Sequence, residues 1–146
     1  MNIRDRLPKI YLATTQFLNR WGMSVVVLIM RLWIAQIFFL SGLTKIHDWH
    51  TAMLLFAEEY HVPFIPPQLA AIGATAVELT CPILLVIGLA SRLATLPMLA
   101  MTVIIHFTYM MYPEHCIWVI FLMTILCYGP GIFSLDALIK QKLGPK

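Results

Sequence analysis

The sequence predicts an all-α membrane protein, folded as an antiparallel bundle of four transmembrane helices. Of its 146 residues, 60% are hydrophobic and only 12% are charged, and the mean hydropathy is +0.83. Soluble domains average about 25% charged residues, so this chain has too little polar surface to cover a water-soluble globule. The second observation is a series of long apolar runs separated by polar turns, since about 20 apolar residues cross a bilayer.

The apolar runs give the positions of the helices within a single domain. The predicted spans are, in order, about 21–43, 68–90, 93–111 and 116–139. The short turn at Ser91 and Arg92 implies that the second and third spans are antiparallel neighbours. The fourth span is expected to break near residues 129–131, because Gly-Pro-Gly favours a kink. Ser134 and Asp136 are expected to cap a helix after that break.

The segment between the first two spans, residues 44–66, is polar and rich in proline, and is predicted to lie outside the membrane. Within it, Trp49 to Tyr60 is expected to form a short helix, since its large apolar side chains recur at helical spacing. Such a helix is expected at the mouth of the bundle or in the headgroup layer.

The basic residues fall mostly on one side of this topology. They are Arg4, Arg6, Lys9, Arg20, Arg92, Lys140, Lys142 and Lys146. Lys45 falls on the other side. Positive charge favours the cytoplasmic side, so both termini are predicted to be cytoplasmic. The net charge of +3 therefore serves topology and does not indicate nucleic-acid binding. The first apolar run is expected to stay in the mature protein, because no signal-cleavage pattern follows it.

Several short motifs carry a resemblance to a known family. In chain order they are Arg31-Leu32, the stretch 39–45, Glu78, the stretch 88–92, Gly129-Pro130-Gly131 and Ser134-Leu135-Asp136. In this order and spacing, over about residues 25–139, the chain resembles the DoxX family. The resemblance implies a four-helix bundle in a bacterial inner membrane. It also implies a role in redox, oxidative-stress or metal-stress systems, since some members resemble subunits of quinone-linked oxidoreductases.

Arg31 and Glu78 are the most informative candidate site residues. Each lies about 15 Å from the predicted start of its span, near mid-membrane. A charge at that depth costs about 2.5–3.5 kcal/mol, so both are expected to face the interior and pair with each other. Helical spacing extends this polar column to Lys45, and His106 is expected to join it from the third span. The pair is open to two interpretations: a substrate pocket, or an ion pair that fixes helix register.

Other candidates for chemistry are weaker. His47 and His50 have a spacing that permits metal binding, although an ordinary interfacial loop is the favoured interpretation. The three cysteines, Cys81, Cys116 and Cys127, contain no CxxC pair. Inert thiols are favoured over a redox relay between the first and the third.

The leading functional hypothesis is a membrane subunit of a redox or metal/oxidative-stress system, with an intramembrane site for a quinone or small substrate. The sequence has no flavin motif and no cysteine cluster, which argues against a stand-alone oxidase. Two alternatives stay open: an export component for a small metal-binding peptide or sulfur compound, and a non-catalytic assembly partner. The expected partners are the bilayer and proteins of the same system. Homo-oligomerisation stays open, because no GxxxG motif specifies an interface.

Overall fold

The computed structural model describes residues 3–60, 62, 64–108 and 111–143, and every regular element within them is helical. Lys146 and the side chains of Arg4 and Arg6, named above for orientation, lie outside the described part. The helices are α1 (Ile3–Phe17), α2 (Met23–His47), α3 (Trp49–Glu58), α4 (Pro67–Ile87), α5 (Ser91–Thr108), α6 (Pro113–Tyr128) and α7 (Leu135–Leu143). A π-helical turn, Leu18–Gly22, joins α1 to α2.

The lengths and compositions of these helices suit a membrane. Lys9–His47, Pro67–Ile87 and Ser91–Thr108 are long and apolar enough to cross a bilayer, and the apolar helix α6 is shorter. Helix α6 ends at Tyr128, and the glycines of the following Gly-Pro-Gly sequence have φ values of 92° and 78°. The prediction of an all-α membrane bundle is confirmed. The limits of each span within a bilayer stay predictions.

Four helices form the bundle as a closed ring, in which α2 packs on α4 and α6, and α5 packs on the same two helices. The buried core residues come from all four helices: Val27, Ile34, Ala35, Phe38, Cys81, Leu85, Ala94, Met98, Leu122 and Ile125. Large apolar side chains also cover the outside, and Trp33 and Phe107 are 57% and 73% exposed. An apolar exterior of this kind is stable in contact with lipid tails.

Helix α3 covers one end of the bundle. Phe56 is buried against Ala70 and Ala71 at the start of α4. The helix begins after Asp48, whose Oδ1 accepts a hydrogen bond from the backbone N–H of Thr51 at 3.0 Å. Hydrogen bonds from the side chain and the backbone of Thr51 lower the pKa of Asp48 below its ordinary value. The expected short helix is therefore present, with a capping carboxylate at its start.

The other end of the bundle is closed by the C-terminal segment. The carboxylate of Asp136 accepts hydrogen bonds from the N–H groups of Ala90 at 2.8 Å and Ser91 at 3.1 Å, so it caps α5. Its own N–H donates to the carbonyl of Gly88 at 2.9 Å. Ser134 caps α7. Both residues are thus capping residues, and Asp136 caps a helix other than its own.

Candidate functional site

A buried polar group of three side chains lies between α2 and α4. Lys45 Nζ is 2.6 Å from Glu78 Oε1, and the Ser41 hydroxyl donates to the same oxygen at 3.0 Å. Lys45 Nζ also lies 2.9 Å from Ser41 Oγ. The side chain of Glu78 is 3% exposed and that of Lys45 is 12% exposed. Glu78 Oε2 is buried and has no hydrogen-bond partner among the described residues. One carboxylate oxygen is therefore left to accept a hydrogen bond.

Gly42 sets the close approach that creates this group. A Cβ atom added there would lie 3.0 Å from Glu78 Cβ and 2.9 Å from the side chain of Leu79. The missing side chain lets α4 pass directly against α2, as small residues do at membrane helix interfaces. Ser41 and Lys45 are one helical turn apart, so both reach the carboxylate that this contact brings in.

An apolar pocket of about 260 Å³ ends at this charged pair. It is formed by α3, α4, α5 and the segment before α4. Its lining residues are Lys45, Phe56, Tyr60, Val62, Ile65, Leu69, Ala70, Gly73, Ala74, Val77, Glu78, Pro97, Ala100, Met101, Ile104 and Ile105. Leu69, Gly73 and Ala100 are exposed, so the pocket mouth lies on the outer surface of the bundle. A molecule in this pocket would meet mostly hydrocarbon, with an ammonium and a carboxylate at the inner end.

A second and smaller space lies on another side of Glu78. This cavity measures about 60 Å³ and extends towards α6, where Thr102, His115 and Trp118 line it. Ser41 also lines it. Glu78 therefore borders both the apolar pocket and this smaller cavity.

Arg31 is fully buried, and its guanidinium binds backbone carbonyl groups. Nε donates to Leu85 O at 2.7 Å and Nη2 to Val86 O at 3.0 Å. Nη1 donates to the carbonyl oxygens of Pro130 at 2.7 Å and Phe133 at 2.9 Å. The last carbonyls of a helix lack intrahelical partners, so Arg31 caps the C-terminus of α4 and ties the segment after α6 to it.

The predicted ion pair between Arg31 and Glu78 is wrong, and helix register is the reason. Glu78 is level with Gly42, whereas a Cβ atom on Gly88 would lie 2.6 Å from Arg31 Nη2. The rise along α2 from Arg31 to Gly42 is about 16 Å, beyond the reach of the two side chains.

His106 lies away from the charged pair. Its ring centroid is 5.3 Å from that of Phe107 and 5.6 Å from that of His115. His106 lines neither the apolar pocket nor the small cavity, and the histidine beside Glu78 is His115. Ser41 could have been predicted from the sequence, because it precedes Lys45 by one helical turn. Nothing in the sequence indicates that His115, and not His106, lies beside Glu78.

The remaining candidates do not assemble into a site. His47 ends α2 and His50 lies in α3, and both are exposed. The described residues contain no group of three or more His, Cys, Asp or Glu side chains able to hold a metal ion. Cys81 is buried, whereas Cys116 and Cys127 are exposed, and all three thiols are free.

The fold and the site together define a multi-pass helical membrane protein with a buried carboxylate–ammonium pair at the end of an apolar pocket. The DoxX family model matches residues 26–111, from the first turn of α2 to just beyond α5. The chain belongs to the DoxX family, as the sequence motifs predicted. Comparison with curated proteins gives no match, and comparison with solved structures gives none.

Proposed function

We propose that this chain is the membrane subunit of a bacterial redox or oxidative-stress system, and that it binds a quinone headgroup in the apolar pocket at Lys45 and Glu78. The DoxX family is associated with stress and redox systems. The protein would lie in the inner membrane with both termini in the cytoplasm, an orientation that the excess of basic residues on one side supports. A partner protein of the same system supplies or removes the electrons.

The unpaired oxygen of Glu78 carries this proposal. A buried acceptor without a partner costs about 1–3 kcal/mol, and more when it is charged, so a ligand donor that reaches it is favoured. A quinol hydroxyl is such a donor, and the ammonium of Lys45 can donate to a quinone carbonyl. Lys45 can therefore donate a hydrogen bond to the quinone form of the ring, and Glu78 can accept one from the quinol form.

The size and surroundings of the pocket also suit a quinone. Its volume of about 260 Å³ is just below the usual range of ligand pockets, so it takes a ring and leaves a long tail outside. Since its mouth lies on the exposed sides of α4 and α5, an isoprenoid tail can extend into lipid. Reduction of a quinone takes up two electrons and two protons, and a carboxylate beside an ammonium is suited to passing protons.

Gly73 permits a direct test, because it lines the pocket and a Cβ atom added there meets nothing within 4 Å. We expect the purified protein to bind decylubiquinone or menadione saturably, as measured by titration of tryptophan fluorescence. Gly73→Leu should fill the pocket and abolish binding without loss of thermal stability. Ala76→Leu introduces the same side chain at an exposed position of the same helix and should bind normally.

Glu78→Gln tests the polar end of the pocket. Loss of a hydrogen bond to a charged group is worth about 1.5–3 kcal/mol, so binding should weaken by at least about tenfold. Glu58→Gln, on the exposed side of α3, is the matched control and should leave binding unchanged. Equal binding by wild type and Gly73→Leu would reject this pocket as the site. No saturable binding by the wild type would favour the assembly-partner hypothesis.

A further inference from the structure

Three cations surround a depression at the end of the bundle opposite Lys45. Arg20 comes from the π-helical turn, Arg92 from the first turn of α5 and Lys140 from α7. The depression measures about 510 Å³. Asp136 is the one carboxylate among the described residues that line it, and both its oxygens already accept backbone hydrogen bonds. The free charge facing this space is therefore positive.

An apolar groove of about 560 Å³ adjoins the depression and shares Arg20 and Lys140 with it. Its other lining residues are Trp21, Ile132, Phe133, Ala137, Leu138 and Gln141. The large side chains in it are partly exposed, and the Trp21 and Phe133 rings meet edge to face at 6.1 Å. A depression lined by basic side chains and a groove lined by apolar side chains thus adjoin each other at the end of the membrane-spanning helices.

Hydrogen bonds to backbone carbonyl groups fix the turn that carries Arg20 and the guanidinium of Arg92. In the π-helical turn, the carbonyl of Asn19 accepts a hydrogen bond from the Tyr128 hydroxyl at 2.5 Å. That bond ties the turn carrying Arg20 to the end of α6, and π-helical turns are frequent at functional sites. Arg92 Nη2 donates to the carbonyl of Cys127 at 3.3 Å. A Cβ atom on Gly129 would lie 3.2 Å from that nitrogen, so the glycine makes room for the guanidinium.

We infer that this paired depression and groove is a binding site for an anionic phospholipid. The phosphate lies among Arg20, Arg92 and Lys140, and an acyl chain follows the groove past Trp21. Guanidinium and ammonium groups bind phosphate by charge-assisted hydrogen bonds. A lipid is favoured over a soluble phosphate because the apolar groove continues directly from the charged depression. The site involves none of the residues at Glu78 and is independent of the quinone proposal.

The test measures the melting temperature of the detergent-solubilised protein by tryptophan fluorescence, with added phosphatidylglycerol, phosphatidylcholine, glycerol 3-phosphate or inorganic phosphate. We expect a saturable rise with phosphatidylglycerol alone. Each basic residue near a membrane surface contributes about fivefold in affinity, so Arg20→Gln and Lys140→Gln should each raise the half-saturating lipid concentration by about that factor.

Lys142→Gln is the matched control, because Lys142 lies on the same helix and lines neither space. It removes the same charge and should leave the lipid response unchanged. Native mass spectrometry of retained phosphatidylglycerol provides a second measurement that does not depend on the stability of the variants. Equal responses to phosphatidylcholine or to free phosphate would overturn the assignment. An equal loss in Lys142→Gln would also overturn it, because the effect would then be one of net charge.

Discussion

Arg31 offers the sharpest test of the structure. Its guanidinium joins the end of α4 to Pro130 and Phe133, and it is fully buried. Arg31→Met keeps an unbranched side chain of similar length and removes every donor. The structure therefore predicts a loss of stability from four unpaired carbonyl groups, with no dependence on the charge of Glu78.

The size of the loss follows from the hydrogen bonds. Each unsatisfied buried acceptor costs about 1–3 kcal/mol, so the four carbonyls that Arg31 binds together cost at least about 4 kcal/mol. Ordinary domains are stable by about 5–15 kcal/mol in total. For a chain of this length, each kcal/mol of stability lost lowers the melting temperature by about 4 °C, so Arg31→Met should melt at least about 15 °C below the wild type. Arg31→Lys should fall between the two, because a single ammonium cannot reach all four oxygens.

The assay is thermal unfolding in detergent, followed through the four tryptophans of the chain. A melting temperature for Arg31→Met within about 5 °C of wild type would show that these four hydrogen bonds contribute little to stability. The double exchange Arg31→Glu with Glu78→Arg adds an independent check. It would preserve an ion pair between positions 31 and 78, but it removes the hydrogen bonds from Arg31 to the backbone carbonyl groups. We expect the double variant to be no more stable than Arg31→Glu alone.

Two further predictions concern the helix contact and the α3 cap. Gly42→Ala should destabilise the protein by about 1–3 kcal/mol, because the new Cβ atom overlaps α4. Gly73→Ala is the control and should not destabilise it, because nothing lies within 4 Å of the new atom. Equal melting temperatures for the two variants would contradict this prediction. Asp48→Ala should lower the melting temperature at neutral pH, since the pKa of Asp48 is lowered by its bonds with Thr51. That difference should vanish as the pH falls through the lowered folded-state pKa, and a difference independent of pH would contradict the capping role.

The sequence predicted the helices better than their relative register. Apolar runs and Gly-Pro-Gly located the bundle and its break, because both are local properties of the chain. The partner of Glu78 depends on the axial offset between α4 and α2. The packing of Gly42 against Glu78 and Leu79 sets this offset, and the apolar periodicity of the sequence does not indicate it. Arg31 was predicted to pair with a carboxylate because sequence patterns indicate only which side chains share a face. Its partners are backbone carbonyl groups, which every residue has.

The carbonyl bonds of Arg31 also have a consequence for how the chain is made. Pro130 and Phe133 follow Arg31 by 99 and 102 residues. At typical translation rates of about 5–20 residues per second, Arg31 waits about 5–20 s for them. During that interval helix α2 carries the charge of Arg31, which its final partners do not yet satisfy. The bundle can therefore close only when its C-terminal segment emerges, and chains that end early should remain open to membrane proteases.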